Sequence, residues 1–194
     1  MKLLLLILVL SAFAVDNIYS QNTAIKIPKG KNILIDGKIQ KSEWNDSKAI
    51  RVSDSVTLYF KADIKYIYIA IQVAEGKSVI ADVYCTKGSN MINLHASAKL
   101  GQRNFVNEKW EDWNWWNNFL WTANVSRIES FDKKTFLKEN LREFQVDKEL
   151  FAANNTKIFF EVTFLNEDGG TSLVLYPSNG IRNRIDNWVT LKWK

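Results

Sequence analysis

From residue 21 onward the chain runs in short alternations of apolar and polar positions, each bounded by Gly, Asn, Asp or Lys. Side chains alternate between the two faces of a strand, so this rhythm predicts half-buried β-strands and an all-β sandwich or barrel. The clearest pair is SVTLYFKAD and IKYIYIAIQVA. Val56, Leu58 and Phe60 share one face, as do Ile67, Ile69, Ile71 and Val73, and ADIK makes a short hairpin connection. NILI at 32–35 reads as another strand, ending at the turn pair Asp36-Gly37. SEWNDS then reads as a single helical turn, capped by Ser42, that carries Trp44 inward. SVIADVYC, MINLHASA, FLWTANVSRI, LREFQV, KIFFEVTFL, SLVLY and NWVTLKW continue at strand length. The alternation fails in DKKTFLKENL and in the tryptophan-rich KWEDWNWWNN, which read as loops or short helices joining strands. A two-sheet antiparallel β-sandwich with short helical insertions is the expected architecture.

The first residues do not belong to this pattern. MKLLLLILVLSAFA is one Lys followed by an unbroken apolar run and a small-residue pattern, which marks a secretory signal rather than a membrane span. Cleavage after Ala14 or after Ser20 fits, and Ser20 is favoured because VDNIYS has neither strand nor helix pattern. The expectation is an exported chain, secreted or periplasmic, with residues 21–194 as one domain. Cys85 is the only cysteine, so the core must hold the fold without an intramolecular disulfide; in DVYC it reads as a small buried hydrophobe. The net charge of +5 is spread among both signs without a like-charge run, which argues against nucleic acid as a partner. A second membrane-length stretch, a zinc or haem-attachment spacing and a phosphate loop are all missing from the sequence.

ILIDGKIQKSEWNDSKAI followed by VTLYFKADIKYIYIAIQV resembles the start of the family 9 carbohydrate-binding modules and their DOMON-like relatives, over residues 33–73. LREFQVDKELF is similar to the family's strand-plus-turn, although Asp147 stands where an Ile-Pro pair is usual, and YPSNGIRNRIDNWVTLKW is similar to its closing loop and last strand. Residues 78–140 match poorly. The resemblance implies an immunoglobulin-like or jelly-roll-like sandwich that binds a sugar between aromatic rings with polar side chains beside them, without catalysis.

Five of the eight tryptophans fall within residues 109–121. An indole face matches the flat C–H patch of a sugar ring, and Asn, Asp, Glu, Lys or Arg can bond the hydroxyls around it. Trp110, Trp113 and Trp116 are at helical spacing, whereas Trp113 and Trp115 are at strand spacing, so no single regular element buries all four. They either plug the end of the sandwich or form a stacking platform. Trp121, in the alternating FLWTANV, belongs to the core, and Trp44 packs beside the opening turn. Trp188, which follows a loop carrying Arg182, Arg184 and Asn187, is either a second candidate contact with those three residues or a lid over the core beneath a solvated loop. A protein partner docking on the aromatic patch is the alternative to a glycan.

Other chemistry is less well supplied. His95 and Met91 are the pair a haem-binding DOMON domain would use, but four residues apart on one strand they lie about 13 Å apart, too far for one iron. His95 therefore reads as a structural, hydrogen-bonded residue. Glu108, Glu111 and Asp112 are acidic neighbours of the aromatics, but adjacent positions on one loop do not make the paired carboxylates of a glycosidase. An enzyme is therefore not expected, and no cofactor is. Asp36, Asp46, Asp54 and Asp63 are carboxylates that could serve calcium, without an EF-type loop.

Overall fold

The computed structural model describes residues 24–115, 118–125, 128–130, 135–136, 140–151, 153–165 and 169–194. The signal segment with its two cleavage positions, and Trp116, lie outside the described residues. In chain order the strands are β1 (Ile25–Lys26), β2 (Lys48–Ser53), β3 (Val56–Ala62), β4 (Tyr66–Val73), β5 (Ser78–Lys87), β6 (Asn90–Ala96), β7 (Leu100–Val106), β8 (Lys109–Trp110), β9 (Asn114–Trp115), β10 (Trp121–Ala123), β11 (Ile128–Ser130), β12 (Thr135–Phe136), β13 (Leu141–Asp147), β14 (Asn155–Leu165), β15 (Thr171–Tyr176) and β16 (Val189–Lys192). Among the described residues, helix is confined to one α-turn at Lys41–Trp44 and 3-10 turns at Lys148–Leu150 and Ile185–Asn187.

These strands form an all-β sandwich of two sheets. The larger runs β1-β16-β14-β5-β6-β7-β8, with β15 also on β14 and β9 also on β7; the smaller runs β10-β13-β4-β3-β2. A separate ribbon pairs β11 with β12, the latter lying within DKKTFLKENL. The alternation predicted from sequence is realised between the sheets: Val56, Leu58, Phe60, Ile67, Ile69, Ile71 and Val73 face Val79, Val83, Cys85, Leu94, Ile158, Phe160 and Val162 in one buried cluster. Each such fully buried side chain contributes about 1.5–3 kcal/mol of transfer free energy. Phe60 and Phe160 meet across the gap edge to face, 5.8 Å between centroids. Cys85 is buried here as expected, and burial pushes its thiol up, away from reactivity.

The outer face of the smaller sheet is covered by residues 31–47. Ile33 and Trp44 are buried there against Tyr68, Ala70 and Leu141. The clasp is Glu143, fully buried on β13. Its Oε2 accepts the backbone N–H of Asp36 (3.2 Å) and Gly37 (2.9 Å), and its Oε1 accepts Trp44 Nε1 at 2.9 Å. Gly37 is required at this turn twice over: its φ is +76°, and a Cβ would lie 2.5 Å from Asn124 Nδ2. Two local expectations are corrected here. NILI is not a ladder strand, because its backbone turns onto side-chain partners, Leu34 N donating to Glu43 Oε1. Ser42 does not cap the helical turn; Gln40 occupies the cap position without a side-chain bond, and Ser42 lies inside the turn. Asp147, the departure from the family pattern, caps the turn at Lys148–Leu150 by accepting Glu149 N at 3.0 Å.

Candidate functional site

With one sheet face covered, the outer face of the larger sheet is where polar side chains and indoles meet. Register places them in two rows. One crosses Phe159, Tyr84, Asn93 and Arg103; the next crosses Glu161, Asp82, His95, Gly101 and Trp115. Asp82 and Tyr84 are the outward positions of SVIADVYC, whose inward positions are core.

The tryptophan-rich segment folds back over these rows. Asn107 and Glu108 both have positive φ, 50° and 63°, the mark of a type I′ hairpin turn, and they return the chain from β7 into β8. Trp110 then lies edge to face on Tyr84 (5.5 Å) and Phe105 (5.1 Å). Trp113 and Trp115 stack on each other, with centroids 5.1 Å apart and planes at 25°, and both abut His95, at 5.3 and 5.8 Å. The indoles of Trp110, Trp113 and Trp115 therefore lie along the sheet face and do not plug the end of the sandwich. The Arg103 guanidinium lies between two of them, 4.9 Å from Trp110 and 4.4 Å from Trp113, and Lys99 Nζ lies 3.8 Å from Trp115. Trp121 belongs to the core as expected, stacked between Phe119 and Phe144.

Gly101 makes room for this pile. A Cβ there would lie 2.4 Å from the Trp115 ring and 3.1 Å from Trp113. Gly101→Val is expected to lift Trp115 off the sheet, abolishing the far-UV exciton signal of the paired indoles in circular dichroism and costing about 1–3 kcal/mol of stability.

The polar groups form two short networks. His95 Nδ1 donates to Asp82 Oδ1 at 3.0 Å, and Nε2 meets Ser97 Oγ at 2.9 Å, so both ring nitrogens are held and the expected structural, hydrogen-bonded His95 is what is found. Arg182 Nε donates to both Glu161 oxygens, at 2.7 and 2.8 Å, and Tyr84 Oη bonds Glu161 Oε2 at 3.2 Å. The Glu161 bond holds the Arg182 guanidinium further up, and burial, with the charges of Asp82 and Glu161, pushes the Tyr84 phenol up, so it stays a donor.

The other expected residues divide. Arg182 reaches the face; Arg184 is exposed on the same loop, and Asn187 Nδ2 is used on Asn179 O. Trp188 is corrected: it is fully buried, stacked on Phe159 at 6.0 Å, with Nε1 donated to Ile181 O, so it supports the floor and offers no ring face. Glu111 bonds Asn104 Nδ2, and Glu108 is in the turn. Met91 and His95 lie on one strand, β6. Asp36, Asp46, Asp54 and Asp63 are each engaged by a separate donor, and among the described residues no three His, Cys, Asp or Glu gather as a metal set.

A cavity of about 770 Å³ lies elsewhere, between Ile27, Ala62 and Trp193 and rimmed by Lys26, Lys29, Lys148, Lys192 and Lys194. None of the buried, unpartnered polar atoms of the described residues lines it, whereas Asn93 and Arg103 of the aromatic face carry three of them.

No family model and no curated protein matches the chain. Among solved structures, the fold is similar to a crystal structure from Bacteroides uniformis ATCC 8492 named a "putative carbohydrate-binding protein", with a TM-score of 0.55, 9% identity, and coverage of 88% of this chain and 99% of that one. The likeness is one of fold. No helix among the described residues is long and apolar enough to cross a membrane.

Proposed function

We propose that the protein is an exported, single-domain glycan-binding module of the family 9-like kind, acting without catalysis through the outer face of its larger sheet. The observation that carries this is the Trp113–Trp115 pair, partly exposed, with the His95–Asp82 network against it and the Arg182–Glu161 network on the same sheet face. Such a face combines an aromatic rim for sugar C–H patches with oriented donors and acceptors for hydroxyls. The fold likeness to the Bacteroides uniformis protein, whose name speaks of carbohydrate, points the same way.

A hydrolase is the second reading, because Asp82, His95 and Ser97 stand in the order of a serine-hydrolase triad and Asp82 faces Glu161 across the strand pair. Two features weigh against it. Ser97 N–H is already given to Lys99 O, so it is not available to a developing oxyanion, and Glu161 is tied to Arg182 and Tyr84. The arrangement is better suited to holding His95 beside the indoles. The test is an array of plant, algal and microbial glycans read by tryptophan fluorescence. Shifted or quenched emission at micromolar to millimolar ligand is expected; silence across the array would leave protein docking on the aromatic patch as the reading.

A further inference from the structure

The face holds two cations that no carboxylate of the described residues answers. Asp82 is engaged by His95 and Glu161 by Arg182, whereas Arg103 has no hydrogen bond or ion pair among the described residues, its contacts being the two indoles. Its Nε is buried without a partner. Asn93, its register neighbour on β6, is fully buried with neither Oδ1 nor Nδ2 satisfied. Lys99 lies at the other end of the stack, its ammonium on Trp115 and in no ion pair among the described residues.

Buried polar groups without partners cost about 1–3 kcal/mol each, and a native fold keeps them where something completes them. A guanidinium clamped between two rings is already ordered, so an anion bonding to it loses little further freedom. Its planar fork matches a carboxylate or sulfate oxygen pair.

We propose that the ligand is an acidic saccharide, whose carboxylate or sulfate ester lies on Arg103 while its ring lies along Trp113 and Trp115 toward Lys99. The inference rests on the glycan-binding reading and narrows it. A neutral sugar would leave both cations without a counter-charge.

The experiment is calorimetric titration of the mature protein with trigalacturonate and its methyl triester, and with a sulfated galactose oligosaccharide and its desulfated form. At least one acidic member should bind about ten- to hundredfold tighter than its neutral twin, and which pair responds tells carboxylate from sulfate. That preference should vanish in Arg103→Gln, checked for fold by its urea midpoint. Should Arg103→Gln not fold, Lys99→Gln, at an exposed site, should reduce the preference, and wild-type affinity should drop several-fold between about 50 and 500 mM NaCl. Equal binding of acidic and neutral twins, with no salt dependence, overturns the acidic inference and leaves the glycan reading standing. Binding of no saccharide overturns both.

Discussion

Glu143→Ala is expected to destabilise the protein by about 3 kcal/mol, read as a lower urea midpoint at unchanged slope. Three donors, Trp44 Nε1 and the N–H groups of Asp36 and Gly37, lose their acceptor in one step. Residues 31–47 would lose their clasp on the smaller sheet, while relief of the cost of burying the carboxylate offsets part of the loss. Glu143→Gln should cost less, about 1–2 kcal/mol, since the amide oxygen still accepts. It also isolates a pH effect. Burial raises the Glu143 carboxyl above its ordinary 4.5, more than the Trp44, Gly37 and Asp36 donors lower it. A raised folded value means that the folded state holds its proton longer. This group's stabilising contribution is therefore full below 4.5 and is lost as pH rises through the folded value. Asp46 and Asp63 act oppositely. Burial works to raise both, but hydrogen bonds, led by Lys31 N–H for Asp46 and Tyr66 N–H for Asp63, outweigh it and hold them below 3.8, so their contribution is present above 3.8 and is lost as pH falls. Subtracting the Glu143→Gln profile from the wild-type profile should leave a decline with rising pH above 4.5.

The second large effect concerns the face. Replacing Trp113 and Trp115 together by alanine is expected to abolish saccharide binding while changing stability by less than about 2 kcal/mol. Each ring in direct contact is worth about 2 kcal/mol, roughly 30-fold in affinity. Both indoles are partly exposed and neither belongs to the inter-sheet cluster, so the sandwich should fold without them. Trp188→Ala makes the contrast: fully buried against Phe159 and Tyr84, it should cost about 3–5 kcal/mol whatever its effect on ligand.

The sheets were legible in the sequence because period-two alternation survives wherever one strand face is core. The β3–β4 hairpin, Cys85 and Trp121 follow from it, whereas the turn at Asp36-Gly37 follows from its residue pair. NILI misleads because Ile33 and Ile35 alternate correctly yet pack on the outside of a sheet without joining its ladder. The same alternation places Asp82 and Tyr84 outward, a signal of the face that was there to be used, but Glu161 gains meaning only through register with a strand far back along the chain, and Arg103 only through the indoles that fold onto it. The lie of the tryptophans was not legible. It depends on the turn at Asn107–Glu108 and on the missing side chain of Gly101, which no spacing rule among the tryptophans contains. Trp188 divides the same way: the polar loop beside it suggests a contact, but Phe159 and Tyr84 bury the ring and make it the lid.

The proposed glycan site on the outer face of the larger sheet stands on Trp113 and Trp115. Titrating the strongest ligand of the glycan array into the wild type and into the Trp113→Ala/Trp115→Ala variant, by calorimetry, tests it most directly. Saturable binding by the wild type and none by a variant that is still folded is the expected result. Undiminished binding by the folded variant would contradict it.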